Sequence, residues 1–392
     1  MTGTSFFKLP AILLCLVCFL TACSEDPPSP GEGPNPPDPV NPPFSHIYAR
    51  GEKGYFCFRI PAIVKTTKGT VLAFAEGRRF DCSDEREIDL VVKRSYDNGL
   101  TWSELSVIWH DPGNTCGNPA PVVDQNTGTI HLLMTWNLGE DRIGAINDGT
   151  SRDTRRAFYT NSIDDGVTWA EPREITSDVK KPEWGWYATG PCHGIQLTKG
   201  EHAGRLVIPC TSIDLRRHGG RGHSHLIYSD DAGATWKLGG VTPTHSTINP
   251  NESSVAELSD GRLLVNSRSG SANNRRVISH SSDGGLTLSP VSPVYALIDP
   301  VCQGSLLSAD INGVWTLFFS NAASLRRENM TLRMSVNDGV TWTRTLTVYP
   351  GPSAYSDLVM LSDTQIGIFW EAGNTSPYEG IAFKIINIAD FR

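Results

Sequence analysis

The 392-residue sequence lacks an apolar segment long enough to cross a bilayer as a helix. Its longest apolar run, Leu9 to Leu20, has 12 residues, whereas a transmembrane helix needs about 20. The sequence also lacks a basic surplus, because 34 Lys and Arg residues face 42 Asp and Glu residues and the formal net charge is −8. The basic residues are scattered and form no stripe, which argues against a nucleic-acid partner. An anionic ligand must therefore be met by a local cluster of arginines.

Long helical periodicity and metal-ligand spacing are missing as well. From Phe44 onward the apolar residues form short runs, such as Gly204 to Pro209 (GRLVIP), Gly261 to Asn266 (GRLLVN) and Val314 to Phe319 (VWTLFF). Short apolar runs of this kind favour β-strands. The Cys and His residues do not show the spacing of metal ligands. Neither a metal nor an organic cofactor is expected.

What the sequence does contain is an eight-residue unit that occurs five times. The first copy, Ser95 to Trp102, reads SYDNGLTW. The other copies begin at Ser162, Ser229, Ser281 and Ser335. Asp97 can close a turn on nearby backbone N–H groups, and Gly99 can adopt the positive φ that such a turn needs. Trp102 offers a large apolar face for burial.

The spacing of the copies predicts the fold. Successive copies begin 52 to 67 residues apart, a period typical of solenoids, propellers or arrays. With β-rich runs between them, the copies predict an all-β, six-bladed β-propeller over residues 44–392, with the units at its outer turns. Two copies depart from the pattern, since Leu288 replaces Trp and Asn337 replaces Asp. The turns of these two copies are expected to be less regular.

The first 43 residues carry export signals. Lys8 precedes the apolar run, and L-T-A-C follows it at Leu20 to Cys23. This looks like a bacterial lipoprotein signal, which predicts cleavage after residue 22 and acylation of Cys23, with an ordinary secretory signal as the alternative. Ser24 to Pro43 contains nine prolines and cannot bury a core, so residues 23–43 are interpreted as a tether. The expected location is the outer membrane, at its periplasmic face or at the cell surface.

Six cysteines remain in the predicted mature domain. They are Cys57, Cys82, Cys116, Cys192, Cys210 and Cys302. In an exported protein they permit disulfide bonds. The first pairs to test are Cys57 with Cys82 and Cys192 with Cys210, and buried free thiols are the alternative.

The predicted first blade opens with Y-F-C-F-R-I-P, Tyr55 to Pro61. F-R-I-P followed by several S-x-D-x-G-x-T-W units resembles the bacterial exo-α-sialidases, or neuraminidases, of the six-bladed propeller kind. The resemblance covers residues 44–392. It implies three arginines that hold the substrate carboxylate: Arg59 of F-R-I-P, Arg268 of N-S-R-S, and Arg327 of R-R-E-N-M-T-L-R, with Arg326 as its competitor. A guanidinium meets a carboxylate through two charge-assisted hydrogen bonds.

The resemblance also implies a tyrosine nucleophile, Tyr355 in P-S-A-Y-S-D-L, with Glu252 in N-E-S-S as its base. Sialic acid carries a carboxylate on its anomeric carbon, which repels an ionised Asp or Glu but not a neutral phenol. Sialidases are accordingly an exception to the two-carboxylate rule of glycosidases. A free phenol has a pKa of about 10 and needs a neighbouring base.

A general acid must protonate the departing glycosidic oxygen. The family places an Asp on a loop of the first blade, and Asp84 matches it, with Asp81 as the competitor. By the same resemblance, Arg78 matches a position that contacts the 4-hydroxyl region of the sugar. Glu371 in F-W-E-A-G matches the carboxylate that orients Arg59.

The predicted function is that of an exported, retaining exo-α-sialidase acting on sialylated glycoproteins, glycolipids or oligosaccharides. A trans-sialidase, or an intramolecular one that releases an anhydro sugar, would share every catalytic residue. A non-catalytic sialic-acid-binding propeller would keep the arginines and lose the Tyr, Glu or Asp. The aromatic run Trp184 to Tyr187 offers a wall for the leaving sugar, although core packing is expected for at least one Trp.

Overall fold

The computed structural model describes residues 44–391. The predicted signal peptide, Cys23 and the Pro-rich tether lie outside the described residues. Within residues 44–391 the chain consists mainly of antiparallel strands, with two short α-helices, α1 (Ile143–Asp148) and α2 (Thr176–Val179). No helix in this part of the chain is long and apolar enough to cross a membrane.

The strands form six blades. The first blade contains β2 (Cys57–Lys65), β3 (Val71–Arg78), β4 (Ile88–Ser95) and β5 (Ser106–Trp109). The second contains β6 (Thr115–Val123), β7 (Ile130–Asn137), β8 (Arg156–Ser162) and β9 (Arg173–Glu174). The third contains β10 (Trp184–Thr189) and β11 (Ile195–Gln196), which both pair with β12 (Leu206–Asp214), then β13 (Gly222–Ser229) and β14 (Lys237–Val241).

The fourth blade contains β15 (Pro250–Glu257), β16 (Leu263–Ser269), β17 (Arg275–Ser281) and β18 (Ser292–Ile298). The fifth contains β19 (Ser305–Ile311), β20 (Val314–Ala322), β21 (Glu328–Ser335) and the start of β22 (Arg344–Ser362). The rest of β22 begins the sixth blade, which continues with β23 (Gln365–Ala372), β24 (Gly380–Asn387) and β1 (His46–Ala49).

The first strands of the blades surround the axis and contact one another, as β2 does with β6 and β22. The ring closes because β1 pairs antiparallel with β24, with Tyr48 opposite Ile381. The two ends of the described chain therefore share the sixth blade. This architecture confirms the predicted six-bladed β-propeller.

Each eight-residue unit forms the turn between the third and fourth strands of its blade. In the first unit, Thr101 donates its backbone N–H and its hydroxyl to the Asp97 carboxylate at 2.8 and 2.5 Å. These bonds lower the pKa of Asp97 to about 2, and the bond from the Thr101 hydroxyl has the largest effect. Gly99 has a φ of 93°, as predicted. Within residues 44–391 the sixth blade has no such turn, because its fourth strand comes from the other end of the described chain.

The units also join neighbouring blades. Trp102 packs edge-on against Phe383 of the sixth blade, with ring centroids 5.4 Å apart, and Trp169 packs in the same way against Phe74 of the first blade. A Cβ added at Gly99 would collide with the Phe383 ring, so glycine serves both the turn and the close approach.

The expectation of less regular fourth and fifth turns is wrong. Thr287 N donates to Asp283 at 2.9 Å, and Thr341 N donates to Asn337 Oδ1 at 3.0 Å, as in the first unit. An amide oxygen accepts the same bond as a carboxylate, and Leu288 is buried in place of the Trp. The turn depends on the acceptor oxygen and the glycine more than on the charge or the aromatic ring.

One of the two disulfide predictions is confirmed. Cys57 and Cys82 form a disulfide bond. The Cys192–Cys210 prediction is wrong, and among the described residues Cys116, Cys192, Cys210 and Cys302 are buried free thiols. Cys210 lies on β12 opposite Thr189, whereas the Cys192 thiol faces the carbonyl group of Ser253.

Candidate active site

The predicted site residues meet at one end of the propeller axis. Neighbouring strands of a blade run in opposite directions. One face of the propeller therefore carries the starts of the first strands, the ends of the second strands and the loops from second to third strands. Arg59, Glu252 and Tyr355 lie near the starts of first strands. Arg78, Arg268 and Glu371 lie near the ends of second strands, and Asp84 and Arg327 lie in loops between second and third strands. All except Glu371 line a cavity of about 210 Å³, the central pocket.

A buried ion pair fixes the direction of Arg59. Its Nε and Nη2 donate to the two carboxylate oxygens of Glu371 at 2.7 and 3.3 Å. Glu371 is fully buried and also accepts the backbone N–H groups of Ile60 and Tyr355, at 3.0 and 3.2 Å. One carboxylate therefore links the first strands of the first and sixth blades. The remaining nitrogen of Arg59, Nη1, lies 4.0 Å from Asp84.

The hydroxyl of Tyr355 has two partners. It donates to Glu252 Oε1 at 2.5 Å and accepts from Arg268 Nη1 at 3.0 Å. Arg268 Nη1 also binds the other Glu252 oxygen at 2.7 Å. Burial, followed by the charge of Glu252, raises the pKa of Tyr355 well above its usual value of about 10. The phenol is therefore neutral in the unliganded pocket, with a base in direct contact.

The third arginine of the pocket is Arg327. Its Nη1 donates to the hydroxyl of Tyr378 at 2.6 Å. The neighbouring Arg326 has a side chain that is 82% exposed and pairs with Glu328. Of the two adjacent arginines, the structure places Arg327 in the central pocket.

Three guanidinium groups thus converge on one phenol. The Arg59 and Arg327 guanidinium carbons lie 5.1 and 5.5 Å from the centroid of the Tyr355 ring. Arg268 contacts the hydroxyl of the same residue. Because the three arginines belong to the first, fourth and fifth blades, the closed ring is what brings them together.

The two candidate acids occupy different surroundings. Asp84 Oδ1 lies 2.9 Å from Arg78 Nη1 at the mouth of the pocket, where its side chain is 63% exposed. Asp81 pairs instead with Arg86, at 3.1 Å, outside the pocket lining. Partial burial raises the pKa of Asp84, but Arg78 and then Arg59 outweigh it and hold that pKa below its ordinary value. Asp84 is therefore ionised in the unliganded pocket.

Arg78 holds the loop that carries Asp84. Its Nε and Nη2 donate to Glu76 Oε2 at 3.0 and 2.6 Å, and its Nη1 donates to the carbonyl group of Cys82 at 2.5 Å. The Cys57–Cys82 bond ties the same loop to the start of β2. The contact of Arg78 with the sugar stays a prediction.

Sequence reasoning missed Tyr378. Its ring lies under the guanidinium group of Arg59, at 4.4 Å, while its hydroxyl accepts from Arg327. The residue lies in the loop between β23 and β24, where no motif marks it.

Four residues that line the central pocket were missed or left open. Asn118 N donates to Glu76 Oε1 at 2.7 Å, and Arg155 Nη2 donates to Asn118 Oδ1 at 2.5 Å. The Arg155 guanidinium lies 4.0 Å from the centroid of the Trp186 ring. Trp186 lines the pocket and Trp184 is buried, so one Trp of the aromatic run lies in the core, as expected. Glu76 and Arg78 are two positions apart in E-G-R, so strand alternation sets them on the same face. This spacing was the signal in the sequence that could have identified Glu76.

Comparisons with known proteins agree with this site. A family model described as a BNR repeat-like domain matches residues 69–368, which include all five units. The chain is 33% identical over 360 residues to a sialidase of Micromonospora viridifaciens, covering 88% of this chain and 53% of that protein. It is also 33% identical over 300 residues to an exo-alpha-sialidase of Aspergillus fumigatus, covering 72% of this chain and 68% of that protein.

Among solved structures, the Hadza microbial sialidase Hz136 superposes with a TM-score of 0.78 at 29% identity, covering 89% of this chain and 69% of that chain. This chain spans about half the length of the Micromonospora protein. The Aspergillus relative, by contrast, is matched over two thirds of its length. With the propeller and its repeated turns, these likenesses show that the chain belongs to the sialidase family.

Proposed function

We propose that this protein is a retaining exo-α-sialidase that hydrolyses terminal sialic acids of glycoproteins, glycolipids or oligosaccharides. The observation that carries the proposal is the position of the Tyr355 hydroxyl, which Glu252 and Arg268 bind where three guanidinium groups converge. A neutral nucleophile among cations suits a substrate whose reacting carbon bears a carboxylate. Membership of the sialidase family supports the same reading.

The arginines bind the carboxylate of the substrate. Arg59 is pre-oriented by Glu371, so little side-chain entropy is lost when the anion enters. The pocket volume of about 210 Å³ is below the roughly 300–1,000 Å³ of sites for drug-sized ligands. A single terminal sugar is therefore the expected occupant, as an exo-cleavage requires.

In the first step the Tyr355 oxygen bonds to the anomeric carbon and its proton passes to Glu252. Asp84 protonates the glycosidic oxygen as the bond to the leaving glycan breaks. In the second step ionised Asp84 takes a proton from water, whose oxygen attacks the same carbon. Tyr355 then departs and recovers its proton from Glu252. Two inversions give net retention.

Asp84 must gain a proton before it can act as the acid. In the unliganded pocket Arg78 and Arg59 keep it ionised. When the substrate carboxylate engages Arg59, it weakens the pull of that cation on Asp84, and the bound sugar displaces water. Both changes raise the pKa of Asp84, so that it protonates in the complex.

The test is hydrolysis of a fluorogenic sialoside by the wild type and by Tyr355→Phe, with NMR analysis of the product. We expect turnover by the wild type, release of the α-anomer first, and loss of at least about a thousandfold in the variant, which lacks the nucleophile. Undiminished turnover in Tyr355→Phe would remove the nucleophile assignment. An anhydro sugar, or transfer to added lactose, would identify a trans-sialidase instead.

We also propose that the enzyme is exported and anchored to the outer membrane by a lipid on Cys23. The supporting observation is the L-T-A-C sequence after the apolar run. Metabolic labelling with a radioactive fatty acid should label the wild type and not Cys23→Ala. Equal labelling of the two proteins would contradict the anchor.

A further inference from the structure

A second concave site, the basic cleft, lies on the same face as the central pocket. It has a volume of about 610 Å³, and Arg152, Lys180, Lys181 and Arg217 line it together with Trp184. Its acidic lining residue, Asp153, is already paired with Arg156. In a chain with a net charge of −8, this positive charge is a local feature.

The basic cleft and the central pocket are separated by elements that contribute residues to both. Strand β10 contributes Trp186 to the pocket and Trp184 to the cleft, and the segment before β8 contributes Arg155 to the pocket and Thr154 to the cleft. Helix α1 borders both. Two positions along an extended strand are only about 7 Å apart, so the sites lie side by side.

The dividing wall, formed by Thr154, Arg155, Trp184 and Trp186, borders the same pocket as the proposed acid. Arg155 and Asp84 both line the central pocket, and the positive charge of Arg155 is among those that lower the pKa of Asp84. In the proposed mechanism Asp84 protonates the oxygen of the leaving glycan. The leaving glycan therefore starts beside the wall and can extend across it.

Two cations of the cleft have no acidic partner. Lys181 Nζ lies 5.3 Å from the centroid of the Trp184 ring, and Arg217, which is exposed, donates from Nε to His218 Nε2 at 3.3 Å. Neither residue forms an ion pair with a carboxylate among residues 44–391. Lys180 lies deeper and donates to Thr154 Oγ1 and to the carbonyl groups of Arg155 and Gly185, at 2.6, 2.6 and 2.7 Å. Burial, followed by repulsion from Arg155, lowers the pKa of Lys180 to about 7. An anion in the cleft would favour its charged form.

We propose that the basic cleft binds an anionic group, a carboxylate or a sulfate, on the part of the glycan that follows the terminal sialic acid. The enzyme then prefers sialosides that carry a second negative charge on the leaving side. This inference rests on the proposed function, since it concerns the leaving group of that reaction.

The experiment compares kcat/KM for three substrates with the same terminal sugar. Sialyllactose has a neutral leaving group, disialyllactose carries a carboxylate there, and a sulfated sialyllactose carries a sulfate. The cleft variant is Lys181→Ala/Arg217→Ala. The control, Lys68→Ala/Arg344→Ala, removes two exposed charges elsewhere.

We expect the cleft variant to lose about tenfold in kcat/KM on a charged substrate, while sialyllactose changes by less than about twofold. The control should leave all three values unchanged. The preference should weaken in about 0.5 M salt, because screening shortens the reach of the charges. Arg217→Glu is a second variant, and it should enlarge the loss on the charged substrates.

Loss on only one charged substrate supports the inference and identifies the anion as carboxylate or sulfate. Equal loss on all three substrates, or no loss on either charged one, overturns the inference and leaves the proposed function intact. If the wild type cleaves none of the three, both proposals are overturned.

Discussion

Asp357 is fully buried at the propeller axis and accepts two hydrogen bonds from His193, from the backbone N–H at 3.0 Å and from ring Nδ1 at 2.7 Å. The same carboxylate accepts from Ile63 N and from Ser305 Oγ, at 2.9 and 2.7 Å. It therefore joins the first, third, fifth and sixth blades near the axis. Asp357 lies on β22, two residues beyond Tyr355, the proposed nucleophile.

Replacing Asp357 by Asn should destabilise the protein. The amide nitrogen cannot accept the N–H groups that meet there, and removing one partner of a buried polar cluster typically costs about 3–5 kcal/mol. Urea denaturation should show this loss in the free energy of unfolding. Asp363→Asn, an exposed change on the following turn, should stay within about 0.5 kcal/mol of the wild type. Equal stability of both variants would refute the axial role.

Glu371→Gln should impair substrate binding and turnover without removing any group that touches the reacting atoms. The amide cannot accept from both Arg59 nitrogens and from the two backbone N–H groups, so Arg59 loses its direction. A misplacement of about 1 Å can cost about a hundredfold, and we expect a fall of that order in kcat/KM on sialyllactose. Glu201→Gln, an exposed change, is the control and should leave kcat/KM unaltered. Wild-type kinetics in Glu371→Gln would contradict the role of Glu371.

Tyr378→Phe should raise KM and leave kcat nearly unchanged. The variant loses the hydroxyl that accepts from Arg327 but keeps the ring beneath Arg59. One hydrogen bond to a charged group is worth about 1.5–3 kcal/mol, and the substrate carboxylate replaces part of it, so we expect a rise of about three- to tenfold. Steady-state kinetics would measure this. A larger effect on kcat than on KM would assign Tyr378 to the chemical step.

Asp84→Asn and Asp81→Asn should behave differently. An amide cannot protonate the leaving oxygen, so Asp84→Asn should lose about a hundredfold or more on sialyllactose. It should lose much less on an aryl sialoside, whose leaving group needs little protonation. Asp81 contacts Arg86 outside the pocket, so Asp81→Asn should retain nearly full activity on both substrates. The reverse pattern would move the acid to Asp81.

The pH profiles of kcat and kcat/KM should differ on their alkaline sides. The profile of kcat/KM reports the free enzyme, where Arg78 and Arg59 hold the pKa of Asp84 low, and that of kcat reports the complex. Since the acid must be protonated, activity falls as pH rises through its pKa. The alkaline limb of kcat/KM should therefore lie at lower pH than the limb of kcat. Coincident limbs would show that substrate does not raise the pKa of Asp84.

The fold was predictable because the repeated unit is a local structure. Asp97 and Gly99 form their turn from neighbouring atoms, so each copy marks one outer turn wherever it occurs. The sixth blade is the exception, and only the pairing of β1 with β24 explains why. The resemblance supplied Arg59, Arg268 and Tyr355, whose motifs are continuous in sequence.

The rest of the pocket depends on ring closure. Arg155 lines the pocket, and Tyr378 contacts two of its arginines, from loops of different blades. No spacing connects these two residues to the motifs. The separation of Asp84 from Asp81 depends on how Arg78 and Cys82 fold their loop. The wrong Cys192–Cys210 pairing has the same origin, because the path between the two residues is set by how β10 and β11 pair with β12.

The pairing of β1 with β24 affects when the protein can mature. Tyr48 is synthesised before the strands of the first five blades and Ile381 after them, yet the two residues face each other in the finished ring. A nascent chain can form its first five blades in turn, but β1, the outer strand of the sixth blade, has no partner until β24 has been synthesised. The pocket, which draws on the sixth blade through Tyr355 and Glu371, therefore becomes competent only after the strands of this blade have joined the ring.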